Sequence, residues 1–189
     1  MSKTWLYTLM FVVVILVIME LIPLFMGKPF YYESSKLLFE FSGPDATVTS
    51  TTAVYIKNAK KIKDIESSCS PDEKKLGEKE VKNLKSLFGE NVEFRYLGCH
   101  SKKLSENEIQ IKEIYYMKNL GKSDGNKVII DFGKKVDKIP VNSKVVYIIP
   151  SDAKVLTANP TPTSENGNVL EWDFDAGKSM VFPKVEYQR

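Results

Sequence analysis

Leu170-Glu171-Trp172-Asp173-Phe174-Asp175 sets a large apolar side chain at every second position and an acid between each. Successive side chains of an extended chain point to opposite faces, so this stretch has one apolar and one charged face. The pattern recurs. Leu37, Phe39 and Phe41 alternate with Leu38 and Glu40, and Val92, Phe94 and Tyr96 alternate with Glu93 and Arg95. Such alternation predicts antiparallel strands with one face on a core and one in water. Val128–Phe132 and Val145–Ile149 are apolar on both faces and are expected as central strands. The Thr- and Val-rich Thr47–Ile56 also has strand composition. The expected fold class is mainly β (α+β): an antiparallel β-sheet or sandwich with one α-helix.

Turn signals separate these runs. Asp124-Gly125 and Asn166-Gly167 tolerate positive φ and favour tight hairpins. Gly43-Pro44-Asp45 is expected to reverse the chain between the first two strands. Ala176-Gly177 is expected to do so before a last strand over Val181–Tyr187, so the C-terminal part reads as a meander. Asn159-Pro160-Thr161-Pro162-Thr163 is read as an edge or extended loop.

The helix is predicted near residues 70–89. Ser70 suits the N-cap, Pro71 the first helical position, and Glu73 completes a capping box. Val81, Leu84, Leu87 and Phe88 form its apolar stripe, and Gly89 stops it. The two cysteines flank this unit, Cys69 before the helix and Cys99 at the end of the next strand. A Cys69–Cys99 disulfide is expected, pinning the helix start to that strand.

Ahead of the β region, Trp5–Met26 is one long apolar run with a single charge in it, Glu20. About 20 apolar residues span a bilayer core as a helix, and aromatics flank both ends of this run as they do in membrane spans. A cleaved signal peptide is the rival reading. Leu24-Phe25-Met26-Gly27 offers only Gly27, with Phe25 where cleavage needs a second small residue, so a retained signal-anchor is preferred. The expected organisation is an N-terminal membrane anchor over 1–27, a juxtamembrane collar over 28–35 and a β-rich domain over 36–189. Lys3 before the run and Lys28 and Lys36 after it leave the charge bias nearly neutral. An isolated cysteine pair favours an oxidising compartment, which places the domain outside the cytoplasm on a single-pass cell-membrane protein. Glu20 is read either as reaching toward headgroups or as an intramembrane polar contact with another span.

The 189 residues carry a net charge of +3, and Arg occurs only at Arg95 and Arg189. Bidentate phosphate and base recognition favours Arg, so no nucleic-acid partner is expected. Abundant Lys and Glu with few Gln is a composition also met in heat-adapted proteins.

Candidates for chemistry are sparse. His100, the single histidine, follows Cys99, and adjacent strand residues point to opposite faces, which prevents a Cys–His pair. A zinc site needs more ligands than these. Asp173 with Asp175, and Glu106 with Glu108, are carboxylate pairs of the kind used in glycoside hydrolysis or calcium binding. They are equally the ordinary polar face of a strand. Lys57, Lys60, Lys61 and Lys63 form a basic segment, read as a solvated face or a contact with anionic headgroups. No catalytic, cofactor or metal residues are assigned, and no cofactor is expected.

The cadence of Val145–Pro150, Asn159–Pro162, Asn168–Trp172 and Val185-Glu186-Tyr187, with the N-terminal run, resembles small single-span membrane proteins of unknown function from thermophilic prokaryotes. That resemblance implies a membrane-tethered β-rich domain and carries over no site residue. The expected function is a non-enzymatic extracytoplasmic interaction or envelope module whose partners are the lipid bilayer and, through Glu20, another membrane protein. The alternatives are an accessory subunit of a larger membrane complex, held through its span, and an enzyme acting on envelope polymers through surface carboxylates.

Overall fold

A computed structural model describes residues 30–69, 71–72, 76 and 78–189. The Trp5–Met26 run and Glu20 lie outside the described residues. Among the described residues, no helix is long and apolar enough to cross a membrane.

Two long strands open the fold, β1 (Phe30–Ser42) and β2 (Asp45–Ile56), joined at Gly43-Pro44 in an antiparallel hairpin. Gly43 has φ +79°, which explains a glycine at this turn. Next come α1 (Ile62–Ser68), preceded by a 3-10 turn over Ala59–Lys61, and α2 (Glu78–Phe88). The hairpin β3 (Glu93–Lys103) and β4 (Glu108–Lys118) follows. β5 (Lys122–Asp124) and β6 (Lys127–Ile130) turn at Gly125-Asn126, and β7 (Lys135–Val136) precedes β8 (Asn142–Ile148). β9 (Lys154–Asn159), β10 (Ser164–Asn166), β11 (Val169–Phe174), β12 (Met180–Val181) and β13 (Lys184–Gln188) complete the chain.

The strands form a seven-stranded sheet, β10-β11-β8-β1-β2-β4-β3, a four-stranded sheet, β5-β6-β13-β9, and the pair β7-β12. The large sheet is mixed, because β1 pairs with β8 in parallel while the sheet's other pairings are antiparallel. The antiparallel expectation holds for every strand pairing among the described residues but this one. Local alternation reports which face a side chain takes but not the direction of a distant neighbour. The expected C-terminal meander also divides. β11 joins the large sheet, whereas β9 and β13 join the small one, and Phe182-Pro183 splits the predicted last strand into β12 and β13. Pro183 lacks an N–H for a ladder, which suits it to that break.

One face of the large sheet carries the core. Tyr96, Tyr115, Val48, Phe39, Tyr147 and Leu170 lie in register across β3, β4, β2, β1, β8 and β11, all buried. The small sheet covers that face, with the Tyr187 hydroxyl donating to the Gly43 carbonyl at 2.6 Å. The Tyr147 hydroxyl donates to the Pro183 carbonyl at 3.1 Å. Leu84, Leu87 and Phe88 of α2 are buried, and Phe88 meets Phe39, Phe132 and Phe182 with ring centroids 5.4–6.2 Å apart. The apolar stripe predicted for this helix is therefore its core face, and Gly89 ends it at φ +120°.

The helix start differs from expectation. Pro71 and Asp72 lie in a bend and α2 begins at Glu78, while Ser70 and Glu73 lie outside the described residues. A reason lies beside the bend. Cys69 and Cys99 are joined in the disulfide expected from sequence, with Cα atoms 5.2 Å apart. This holds the chain against β3, where the Pro71 carbonyl occupies the space a Cβ on Gly98 would need.

Candidate functional site

The outer face of the large sheet is not covered by the small sheet, and it gathers polar residues toward the end where β1 begins. Parity of the pleat puts Lys36, Lys144 and Asp173 on this face, and register places them side by side with Thr51 and Lys112. His100 of β3 closes the row opposite Lys112 and is exposed. One row nearer the start of β1, Ser34 sits beside Asn142. Ser34, Lys36, Thr51, Asn142, Lys144 and Asp173, together with Gln110, Phe174 and Asp175, line an open concavity of about 500 Å³, and Lys112 and His100 are not among its lining residues.

Lys144 is the centre of its charge network. Its ammonium donates to Glu171 at 2.9 Å and lies 3.3 Å from Asp173. The hydrogen bond to Glu171, supported by Asp173, raises the Lys144 pKa above the ordinary lysine value. It therefore stays a cation through neutral pH and is not a nucleophile. Asp175 is bound by Lys178 at 2.6 Å, which raises the Lys178 pKa in turn. The loop after β11 is tied back by Asn142, whose Oδ1 accepts from the Ala176 N–H at 2.9 Å.

Asp173 and Asp175 thus do share one concavity, but each carboxylate faces a lysine. Glu106 lies in the β3–β4 turn and Glu108 opens β4, where it shares a hydrogen bond with Glu33. That bond, more than desolvation, lifts the Glu33 carboxyl above its usual range. Cys99 faces the core in its disulfide while His100 points to solvent, so the two do not meet. Among the described residues, no three His, Cys, Asp or Glu side chains gather as a metal site requires. Hydroxyls, amides and a fixed ammonium equip the concavity for hydrogen bonding.

Residues 30–188 match a family described as "Domain of unknown function (DUF4897)". The chain belongs to that family. The matched span coincides with the β architecture, from the first residue of β1 to the last of β13. No curated protein matches the chain.

Several site residues of this DUF4897 domain were not singled out by sequence reasoning. Ser34, Asn142 and Lys144 come together only through the parallel β1–β8 pairing, which no local pattern announces. Glu113 is different. It is buried on the core face, and its position among Ile109, Ile111, Tyr115 and Met117 interrupts an otherwise apolar alternation, a signal present in the sequence itself. The Tyr115 hydroxyl donates to it at 3.0 Å.

Proposed function

We infer that this chain is a membrane-tethered interaction module whose β domain works outside the cytoplasm and binds without catalysis. The observation that carries this reading is the junction between the apolar run and the sheet. Only Gly27, Lys28 and Pro29 separate Met26 from the first residue of β1. A run of bilayer-spanning length joined so closely to a strand would hold the domain against the membrane surface. The Cys69–Cys99 disulfide supports an oxidising compartment. The outer-face concavity supports binding, since Lys144, Asp173 and Asp175 are already paired and the lining adds hydroxyls, amides, Lys36 and the Phe174 ring.

Fractionation and surface labelling test this. The chain is expected to stay with membranes through alkaline extraction and to react with a membrane-impermeant lysine reagent on intact cells. Recovery in the soluble fraction, or labelling only after permeabilisation, would overturn the reading.

Glu20 favours a second reading as an accessory subunit, because a carboxylate within a span is costly without a partner. In that case the parent chain co-purifies with a membrane protein in gentle detergent and the Glu20→Leu form loses it. Equal yields of partner from both forms would remove this reading.

A further inference from the structure

We propose that the end of the domain where β1 begins is a docking surface for a bilayer carrying anionic headgroups, formed by Tyr31, Lys57, Lys60, Lys63, Lys103 and Leu104. The proposal rests on the tethering reading above.

These residues come from separate segments, and the backbone gathers them at one end. Phe30 pairs with Ile56, whose N–H donates to the Asn107 carbonyl at 2.7 Å. The Asn107 side chain reaches the Lys57 carbonyl at 3.4 Å. The tip of the β3–β4 hairpin, with Lys103 and Leu104, therefore stands beside the start of β1 and the end of β2. Lys60 lies in the 3-10 turn that follows, closed by the Asn58 side chain accepting from the Lys60 N–H at 3.2 Å. Lys63 lies in the first turn of α1. Ile62 and Ile65 bury the opposite side of that helix, which leaves Lys63 exposed.

The chemistry is that of a bilayer surface. Tyr31 is 51% exposed and Leu104 is 42% exposed, placing two of the domain's exposed large apolar side chains at this one end. The Lys57 ammonium sits over the Tyr31 ring at 5.4 Å, an aromatic–cation pair of the kind that fits the headgroup layer. Juxtamembrane lysines are drawn to anionic lipid, and only within about a Debye length of it. The short junction at Gly27-Lys28-Pro29 keeps this end within that distance. Opposing charge is present in Glu33, Glu106 and Glu108, and two of these share one hydrogen bond. Lys61 is engaged by Asp64 at 3.3 Å and is not counted in the surface.

The test uses the full-length chain in nanodiscs of phosphatidylcholine alone or with phosphatidylglycerol added. Backbone hydrogen exchange is followed over residues 57–63 and 102–107. Anionic lipid is expected to slow exchange there by at least about fivefold, the effect of roughly one lysine near a charged surface. High salt should abolish the slowing. So should combined Lys57→Gln, Lys60→Gln, Lys63→Gln and Lys103→Gln substitutions in a chain whose circular dichroism matches the parent. Equal exchange in both lipids, with the chain retained in the disc, overturns the docking surface and leaves the tether standing. Failure of the chain to remain in the disc overturns the tether, and the docking surface falls with it.

Discussion

Gly98 shows how one residue decides local structure here. It sits at the β3 bulge with φ +146°, a conformation that L side chains rarely adopt, and the Pro71 carbonyl fills the place of its missing Cβ. Gly98→Ala would add backbone strain and a backbone clash together, and is expected to cost at least about 2 kcal/mol in urea denaturation of the full-length chain. Wild-type stability in that variant would mean that the segment at Pro71 moves aside freely. Ser50 predicts the opposite sign. Its hydroxyl is buried with no hydrogen-bond partner among the described residues, between Leu37 and Glu113 in register on the core face. Ser50→Ala removes an unsatisfied polar atom and is expected to leave stability unchanged or raise it by up to about 1 kcal/mol. A loss larger than that would show that the hydroxyl is satisfied in solution.

At the scale of elements, the disulfide joins the segment after α1 to β3, and it closes a loop with a sequence separation of 30. Constraining the unfolded chain in this way contributes about 3–4 kcal/mol in the chain-entropy model. The Cys69→Ala/Cys99→Ala double variant is therefore expected to unfold at clearly lower urea, and a shift under about 1 kcal/mol would assign the pinning to packing instead. Elements written in local patterns were legible in the sequence. These include the β1–β2 turn at Gly43, the hairpins at Gly125 and Gly167, the buried face of α2 and its stop at Gly89. What could not be read depends on distant partners. The parallel β1–β8 pairing, the transfer of β9 and β13 to a second sheet, and the concavity around Lys144 all arise from such pairings. The short helix α1 escaped because Lys57–Lys63 reads as a charge run, and only Ile62 and Ile65 mark its buried side. The helix start was misplaced because a good capping sequence at Ser70 competes with a tertiary constraint, the disulfide one residue earlier. Tertiary constraint outweighs local propensity.

For the molecule as a whole, β1 sets the longest strand dimension. Its 13 residues extend roughly 40 Å. One end meets the apolar run. The other carries the Gly43 turn and the chain terminus, where the Arg189 N–H donates to the Asn126 carbonyl. Between these ends the two sheets share the buried aromatic core, and the Tyr147 and Tyr187 hydroxyls bond across it, which predicts how the fold fails in alkali. Burial pushes the Tyr187 hydroxyl up to about 12 from an ordinary 10.0. Burial also raises Tyr147 and Tyr32 strongly. Each is neutral in the folded state and ionises more readily in the unfolded one. Their contribution to stability is thus fully present below about pH 10 and is lost as pH rises through the folded values. In an alkaline titration of the nine tyrosines, part of the phenolate absorbance should appear late, together with loss of the near-ultraviolet circular dichroism of the packed rings. Tyr187→Phe should lower neutral-pH stability by about 1 kcal/mol, through the lost bond to Gly43, and make the alkaline loss less steep. Smooth ionisation of all nine near pH 10 with the tertiary signal intact would show that these phenols are open to water in the folded state.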